Sequence, residues 1–352
     1  MGEYETEGRN HQADVTLDRA FAELRPAMLA LAYRITGNRA DAEEIVQDAF
    51  VRLHHAEPKE AVRSFKAYLT TITARLSLNR LRDQRARRET YVGEWLPEPF
   101  LTEGEPAVRA EDVSFALVAV LERLSPLERV VFVLRNAFDF TFKEIAPVVG
   151  RDAVACRKIF SRARACMLEE RPRFAVDRER HRALLRSFTE AARGGDQARL
   201  ISLLAADVVL HSDGGGKALA TKKPLVGSLA VARFIVAVTR TVPAGASLEE
   251  IDLNGAPGLA IRASGRPVVA ILIDTDGERI HSVFAVANPD KLDALSRGAG
   301  RRWLRAGTRA DVAGGRHFPA GRCAARRSPA TSKARQTFEK FLGIYSHRFL
   351  LV

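Results

Sequence analysis

Cysteine is nearly absent: there are three in 352 residues, Cys156, Cys166 and Cys323. Their spacing forms neither a disulfide framework nor a zinc-binding pair, so no covalent staple and no metal is expected to hold the fold. Long apolar runs are missing too, and none approaches the roughly 18 residues of a membrane span. The first stretch, MGEYETEGRNHQAD, is polar and mostly acidic, unlike a secretory or organellar leader. With 46% hydrophobic residues the chain reads as globular, in two or three domains, cytosolic and without a membrane partner.

A phosphate loop is also lacking, although one stretch invites it. VVLHSDGGGKALATKKPLVG, residues 208–227, puts three glycines and a lysine after an apolar run. A nucleotide loop needs G-x-x-x-x-G-K-[ST], and here His211 and Ala218 stand where glycine and a hydroxyl are required. No nucleotide and no other cofactor is expected. What remains is a loop, Asp213, Gly214, Gly215, Gly216 and Lys217, whose glycines allow positive φ and close approach of another chain.

Positive charge is plentiful but unevenly placed. The net charge is +12, and residues 297–352 alone hold 13 Lys/Arg against 2 Asp/Glu, which leaves the first 296 residues near +1. Nucleic-acid binding must therefore rest on local clusters rather than bulk charge.

The chain divides into parts by periodicity. Helices are expected from Leu17 to about Arg88. In DAEEIVQDAFVRL, Ala42, Ile45, Val46, Ala49, Phe50 and Leu53 share one helical face, with Asp41, Glu43, Glu44, Gln47, Asp48 and Arg52 on the other. A following helix carries six arginines and one acid between Arg75 and Arg88. The proline-rich EWLPEPFLTEGEPA predicts an extended linker. Helices resume at Val113, with Ser125-Pro126 as an N-cap and first-turn proline, and Thr141-x-x-Glu144 as a capping box. From Arg178 the helices 178–193 and 196–205 precede the glycine loop, and another spans 228–240. Strands then follow at GLAIRA, RPVVAILI and ERIHSVFAVA, the last two joined by Asp276-Gly277. NPDKLDAL predicts a closing helix. Helices ahead of an antiparallel sheet indicate an α+β domain. Beyond Arg297 the composition predicts disorder.

Two features carry nucleic-acid chemistry. Residues 141–167 pattern as two short helices around Gly150, the first with Phe142, Ile145, Ala146 and Val149 inward, the second with Cys156, Phe160, Ala163 and Met167. Arg157, Lys158, Ser161 and Arg162 are left on the outer face of the second helix, as in a helix-turn-helix reading the major groove. Pro147 predicts a kink. The arginines of 75–88 would supply phosphate contacts, so two DNA contacts on a flexible connection are expected.

LAYRITGNRADAEEIVQDAFVRL resembles region 2, and LERLSPLERVVFVLRNAFDFTFKEIAPVVGRDAVACRKIFSRARACM resembles region 4, of the extracytoplasmic-function, sigma-70-type sigma factors. WLPEP (95–99), DGGGK (213–217) and NPDKL (288–292) resemble the subgroup with a fused C-terminal SnoaL-like domain of NTF2-like fold. The resemblance implies a multidomain protein with two all-α sigma domains followed by an α+β domain and a basic tail. Its boundaries are 15–93 for region 2, 94–112 for the linker, 113–172 for region 4, 178–296 for the SnoaL-like domain and 297–352 for the tail. It further implies a transcription initiation factor rather than an enzyme. Asp41, Glu44, Gln47, Asp48 and Phe50 would meet the β′ clamp helices of RNA polymerase, and region 4 would meet the β flap. Arg75, Asn79, Arg80 and Arg82 would face the −10 element, and Arg157, Lys158, Ser161 and Arg162 the −35 element. Trp95, Pro97, the 213–217 loop and Asn288, Pro289 and Asp290 would form an interdomain contact. Asn79 departs from the family's more frequent aspartate, and the tail is foreign to the pattern. An NTF2-like pocket could admit a small-molecule ligand, with Asp207, His211, Asp213 or Asp274 as bases if it were catalytic. The rivals are a one-component regulator and a SnoaL-like enzyme fused to a DNA-binding half.

Overall fold

A computed structural model of the chain describes residues 3–55, 64–102, 113–169 and 176–296. The expected tail and residues 103–112 of the linker lie outside these, as do the side chains of Arg85, Arg87 and Arg88.

The N-terminal helices are α1 (Glu3–Thr36), α2 (Arg39–His54) and α3 (Phe65–Glu89). Gly37, at φ +68, breaks α1 from α2, and the Asn38 side chain caps α2 by accepting from the Asp41 amide at 2.8 Å. Ala42, Ile45, Val46, Ala49 and Leu53 are buried as their spacing predicts. Phe50, at the edge of that stripe, is half-buried against the Phe21 ring, 4.1 Å between centroids.

The second set is α4 (Phe115–Leu121), α5 (Pro126–Ala137), α6 (Phe142–Val149) and α7 (Ala153–Glu169). The expected capping box forms at Thr141/Glu144, the Ser125 N-cap proves to be a second one with Glu128, and Gly150 ends α6 in the left-handed region. Pro147 lies within α6, which continues to Val149. The buried stripes differ from the expected ones by a neighbour: Val148 is buried while Phe142 and Ala146 are half-buried, and Ile159 is buried while Phe160 is half-buried. Two apolar neighbours compete for one inward position, and only packing ranks them.

These two sets are not joined loosely, which corrects the expected flexible connection. Leu31, Ile35, Ala74, Leu78 and Leu81 share one core with Leu121, Val130, Leu134, Ile145 and Ile159. Arg129, 1% exposed, pairs with Glu122 at 2.8 Å and donates to the Ile35 carbonyl at 2.8 Å. A cation buried this deeply requires such partners, and here they come from both helical sets.

The third part holds α8 (Arg178–Gly194), α9 (Gln197–Leu203), β1 (Leu204–Asp213), β2 (Leu225–Val226), α10 (Ser228–Thr239), β3 (Ser247–Leu253), β4 (Ala256–Ala263), β5 (Arg266–Thr275) and β6 (Ile280–Val286). A helix over residues 289–296 follows. Sheet order is β2-β1-β6-β5-β4-β3. Three corrections arise. The expected helix 196–205 stops at Leu203, and β1 starts at Leu204. β3 falls where no strand was expected; its SLEEIDL sequence is acidic and half-exposed, so alternation is faint. The sheet is mixed, because β1 pairs parallel with β6 while the other pairs are antiparallel.

One sheet face packs on α8–α10 through Leu185, Phe188, Leu200, Val208, Val231 and Val283. The other, with Leu253, Leu272, Phe284 and Val286, is covered by Leu96 of the linker, Phe115 of α4 and Leu292 and Leu295 of the closing helix. α4 thus touches three cores with one turn each: Phe115 on the sheet, Val118 among the N-terminal helices and Leu121 in the shared core. No described helix is long and apolar enough to cross a membrane.

Candidate nucleic-acid and interdomain surfaces

α7 presents Arg157, Lys158, Ser161 and Arg162 on its exposed side. The opposite residues Cys156, Ile159, Ala163 and Met167 are buried, and that burial fixes the outward direction of the polar four. Asp152 caps the helix by accepting from the Ala155 amide at 2.6 Å. The Arg157 guanidinium lies 5.5 Å from the Phe142 ring, and Arg162 Nε is 3.6 Å from Glu128 Oε1. Both guanidiniums are exposed while Glu128 and Phe142 are half-buried, and contacts of such exposed cations are worth little on their own.

α3 is differently committed. Arg75 Nη2 donates to the Pro147 carbonyl of α6 at 2.9 Å. Asn79 and Arg82 are exposed. Arg80 bridges to α2, with Nη1 2.5 Å from Asp41 Oδ1 and Nη2 2.9 Å from Glu44 Oε2, while the Gln84 amide donates to the other Asp41 oxygen. Residues expected to meet polymerase and residues expected to meet DNA are therefore paired with each other here. Gln47 and Asp48 of α2 are exposed.

The linker from Tyr91 to Thr102 is bonded on both sides. The Asp213 carboxylate, fully buried, accepts from the Leu96 amide at 2.9 Å, from Lys291 Nζ at 2.7 Å and from the Tyr91 hydroxyl. Lys291 also donates to the Leu96 carbonyl and sits 3.5 Å above the Trp95 ring. Burial and then the bond to Asp213 push the Tyr91 hydroxyl well above the usual phenol range. Gly215 adopts φ +60 under Asn288, where a Cβ would lie 2.5 Å from Nδ2. Gly216 faces Val92. Gly214 packs within its own loop on Ala218. Lys217 pairs at 2.5 Å with Asp290, both solvent-exposed, and Pro289 is exposed beside them. Glu94 of the linker meets His211 Nδ1 at 2.7 Å.

Further along, the linker turns to the N-terminal helices. Pro97 lies beside Gly37. The Glu98 amide donates to the Gly37 carbonyl at 2.8 Å, and its carboxyl accepts from the Arg39 amide at 3.0 Å, at the first turn of α2. Burial drives the Glu98 carboxyl up to about 7, against the lowering effect of that amide. Leu101 then bridges to Leu253, and the Thr102 amide donates to the Asp252 carbonyl at 3.0 Å, adding the linker to the β3 edge.

Sequence reasoning missed Tyr91, Glu94, Glu98 and Asn254 and did not single out Lys291. Asn254-Gly255 is a hairpin dipeptide, and it could have revealed β3. Of the four proposed bases, Asp213 and His211 are engaged with the linker, Asp207 is exposed, and burial raises the Asp274 carboxyl above its usual range.

Residues 20–87 match sigma-70 region 2 and residues 114–167 match sigma-70 region 4. The chain is 36% identical over 289 residues to the ECF RNA polymerase sigma factor SigJ of Mycobacterium tuberculosis, spanning 77% of this chain and 91% of that protein. It is 35% identical over 186 residues to the probable ECF RNA polymerase sigma factor SigI of the same species, spanning 51% of this chain and 64% of that one. The crystal structure of the M. tuberculosis SigJ superposes with a TM-score of 0.64 at 32% identity, covering 79% of this chain and 98% of that chain.

Proposed function

The chain belongs to the extracytoplasmic-function family of RNA polymerase sigma factors, and from that premise we propose that it reads promoters with two surfaces which its third domain holds together in the free protein. As a sigma factor it acts with core RNA polymerase and promoter DNA in transcription initiation. In this reading the exposed Glu44, Gln47 and Asp48 of α2 dock on the β′ clamp helices, together with Asp41 and the half-buried Phe50. Region 4 seats on the β flap and reads the −35 element through Arg157, Lys158, Ser161 and Arg162. α3 holds the −10 element through Arg75, Asn79, Arg80 and Arg82. The third domain has no catalytic step to perform; it grips the linker through Asp213, Lys291 and Asn288, with Trp95 as the aromatic anchor.

One observation carries this reading: helices of both units share one core, across which the buried Arg129 of α5 pairs with Glu122 and donates to the Ile35 carbonyl, while the exposed Arg75, a candidate −10 contact, donates to the Pro147 carbonyl of the −35-reading unit. The two elements named by positions −10 and −35 lie about 25 base pairs apart, roughly 85 Å at 3.4 Å per pair. Helices sharing one core cannot reach both, so promoter engagement requires the two units to part. Charge reversal, Glu44→Lys with Asp48→Lys, tests the docking face. The double variant should lose co-purification with core polymerase and retain parental helicity, and undiminished holoenzyme formation refutes the assignment. Transcription by the reconstituted holoenzyme on a genomic promoter library then identifies the promoters.

A further inference from the structure

Asn254 occupies the first position of the β3–β4 turn at φ +53, followed by Gly255 at φ +78. An Asn-Gly turn of this kind is common in hairpins, where its side chain ordinarily meets solvent. Here Asn254 is 2% exposed, and every polar atom of its side chain has a partner outside the sheet. Nδ2 donates to the Tyr33 hydroxyl at 2.7 Å and to the Val113 carbonyl at 2.7 Å. Oδ1 accepts from the Phe100 amide at 2.8 Å, and the Asn254 amide returns a bond to the Phe100 carbonyl at 2.6 Å. Tyr33 belongs to α1, Phe100 to the linker, and Val113 leads into α4. All three are fully buried. The Tyr33 hydroxyl completes the circuit by donating to the Glu98 carbonyl at 2.7 Å. Turn geometry alone asks for none of these bonds. A side chain that joins the N-terminal helices, the linker and the start of region 4 in a dry junction cannot stay bonded when those parts separate.

We propose that Asn254 is an intramolecular latch: the third domain inserts one amide between the two sigma units and so holds the free factor in its closed, promoter-incompetent arrangement. The latch lies apart from the Asp213–Lys291 grip on the linker and acts on the sigma units directly. It deepens the reading given above and rests on it only for the consequence at promoters. A net buried hydrogen bond shifts an equilibrium by roughly fivefold, so three together bias closure by about a hundredfold. The affinity of a ligand that requires the open state rises with the open fraction.

The test uses the full chain with Asn254→Gly, which keeps the positive φ and removes only the side chain. Dyes at positions 52 and 136, both exposed, report the separation of the two units by energy transfer. The variant should populate a longer separation. It should also bind a duplex carrying both elements of a promoter selected by the holoenzyme at least tenfold more tightly, with unchanged affinity for a duplex carrying the −35 element alone. Parental separation together with parental affinity overturns the latch. Opening without any gain on two-element DNA upholds the latch and refutes the promoter-spanning reading instead. Tyr33→Phe removes one hydroxyl from the same junction and leaves the turn untouched. Should glycine unfold the sheet, this variant carries the test, and a failure to open overturns the proposal.

Discussion

Asp213→Ala probes the grip on the linker most sharply. The carboxylate is fully buried and Lys291 is 6% exposed, so removing the anion strands a cation in a dry site. Breaking one side of a buried pair costs about 3–5 kcal/mol. The Leu96 amide, the Gly215 amide and the Tyr91 hydroxyl lose their acceptor in the same step. Part of the loss is recovered by the Leu96 carbonyl and the Trp95 ring, which still contact Lys291. A net loss near 3 kcal/mol corresponds to roughly a hundredfold in an equilibrium. Because the Leu96 amide bonds directly to Asp213, its hydrogen exchange should accelerate by about that factor when local release of the linker governs exchange. Lys291→Met in the same chain should restore part of the protection, since an apolar residue of similar length no longer needs an anion. The pair should show a coupling of about 0.5–3 kcal/mol in a double-mutant cycle. Leu96 exchange within threefold of the parent in Asp213→Ala would refute the claim that this carboxylate fastens the linker.

Three further outcomes are expected. Glu98, 5% exposed and with its carboxyl raised to about 7 by burial, favours the folded state in its protonated form. Its contribution is fully present below the unfolded value near 4.5 and is lost as pH rises to about 7, some 3 kcal/mol in all; Glu98→Gln should flatten denaturation midpoints over that window, and an unchanged profile argues against the assignment. Arg157→Ala or Arg162→Ala should weaken binding to the −35 element by about 1–3 kcal/mol wherever the side chain reaches a base edge. Equal loss on random DNA would make the residue a phosphate contact. Gly215→Ala, at φ +60 and with its Cβ placed against Asn288, should lower stability by more than about 1 kcal/mol in thermal melts, and a neutral result would show that the loop can move away from Asn288.

Much of the molecule is determined locally and can be read in the sequence. The α2 stripe, the Ser125 and Thr141 capping boxes, the Gly150 turn and the Asp276-Gly277 hairpin depend on residues a few positions apart, where helical or strand periodicity dictates who shares a face. The same locality points Arg157, Lys158, Ser161 and Arg162 outward, since their neighbours Cys156, Ile159 and Ala163 are the ones that fill the core. Partners distant in the chain are a different matter. Asp213 reads as a loop residue beside glycines until Lys291 and the Leu96 amide meet it across 78 and 117 positions. Nothing near Arg80 says that Asp41 and Glu44 will neutralise it, and nothing near Asn254 says that Tyr33 lies 221 positions away in the chain and 2.7 Å away in space. β1 escapes local reading for the same reason, because its parallel partner β6 follows it by some 70 residues. Local periodicity determines which side of each element is buried. Which buried polar groups face one another is decided only when the elements pack, because an isolated segment leaves those groups in water, where they need no partner.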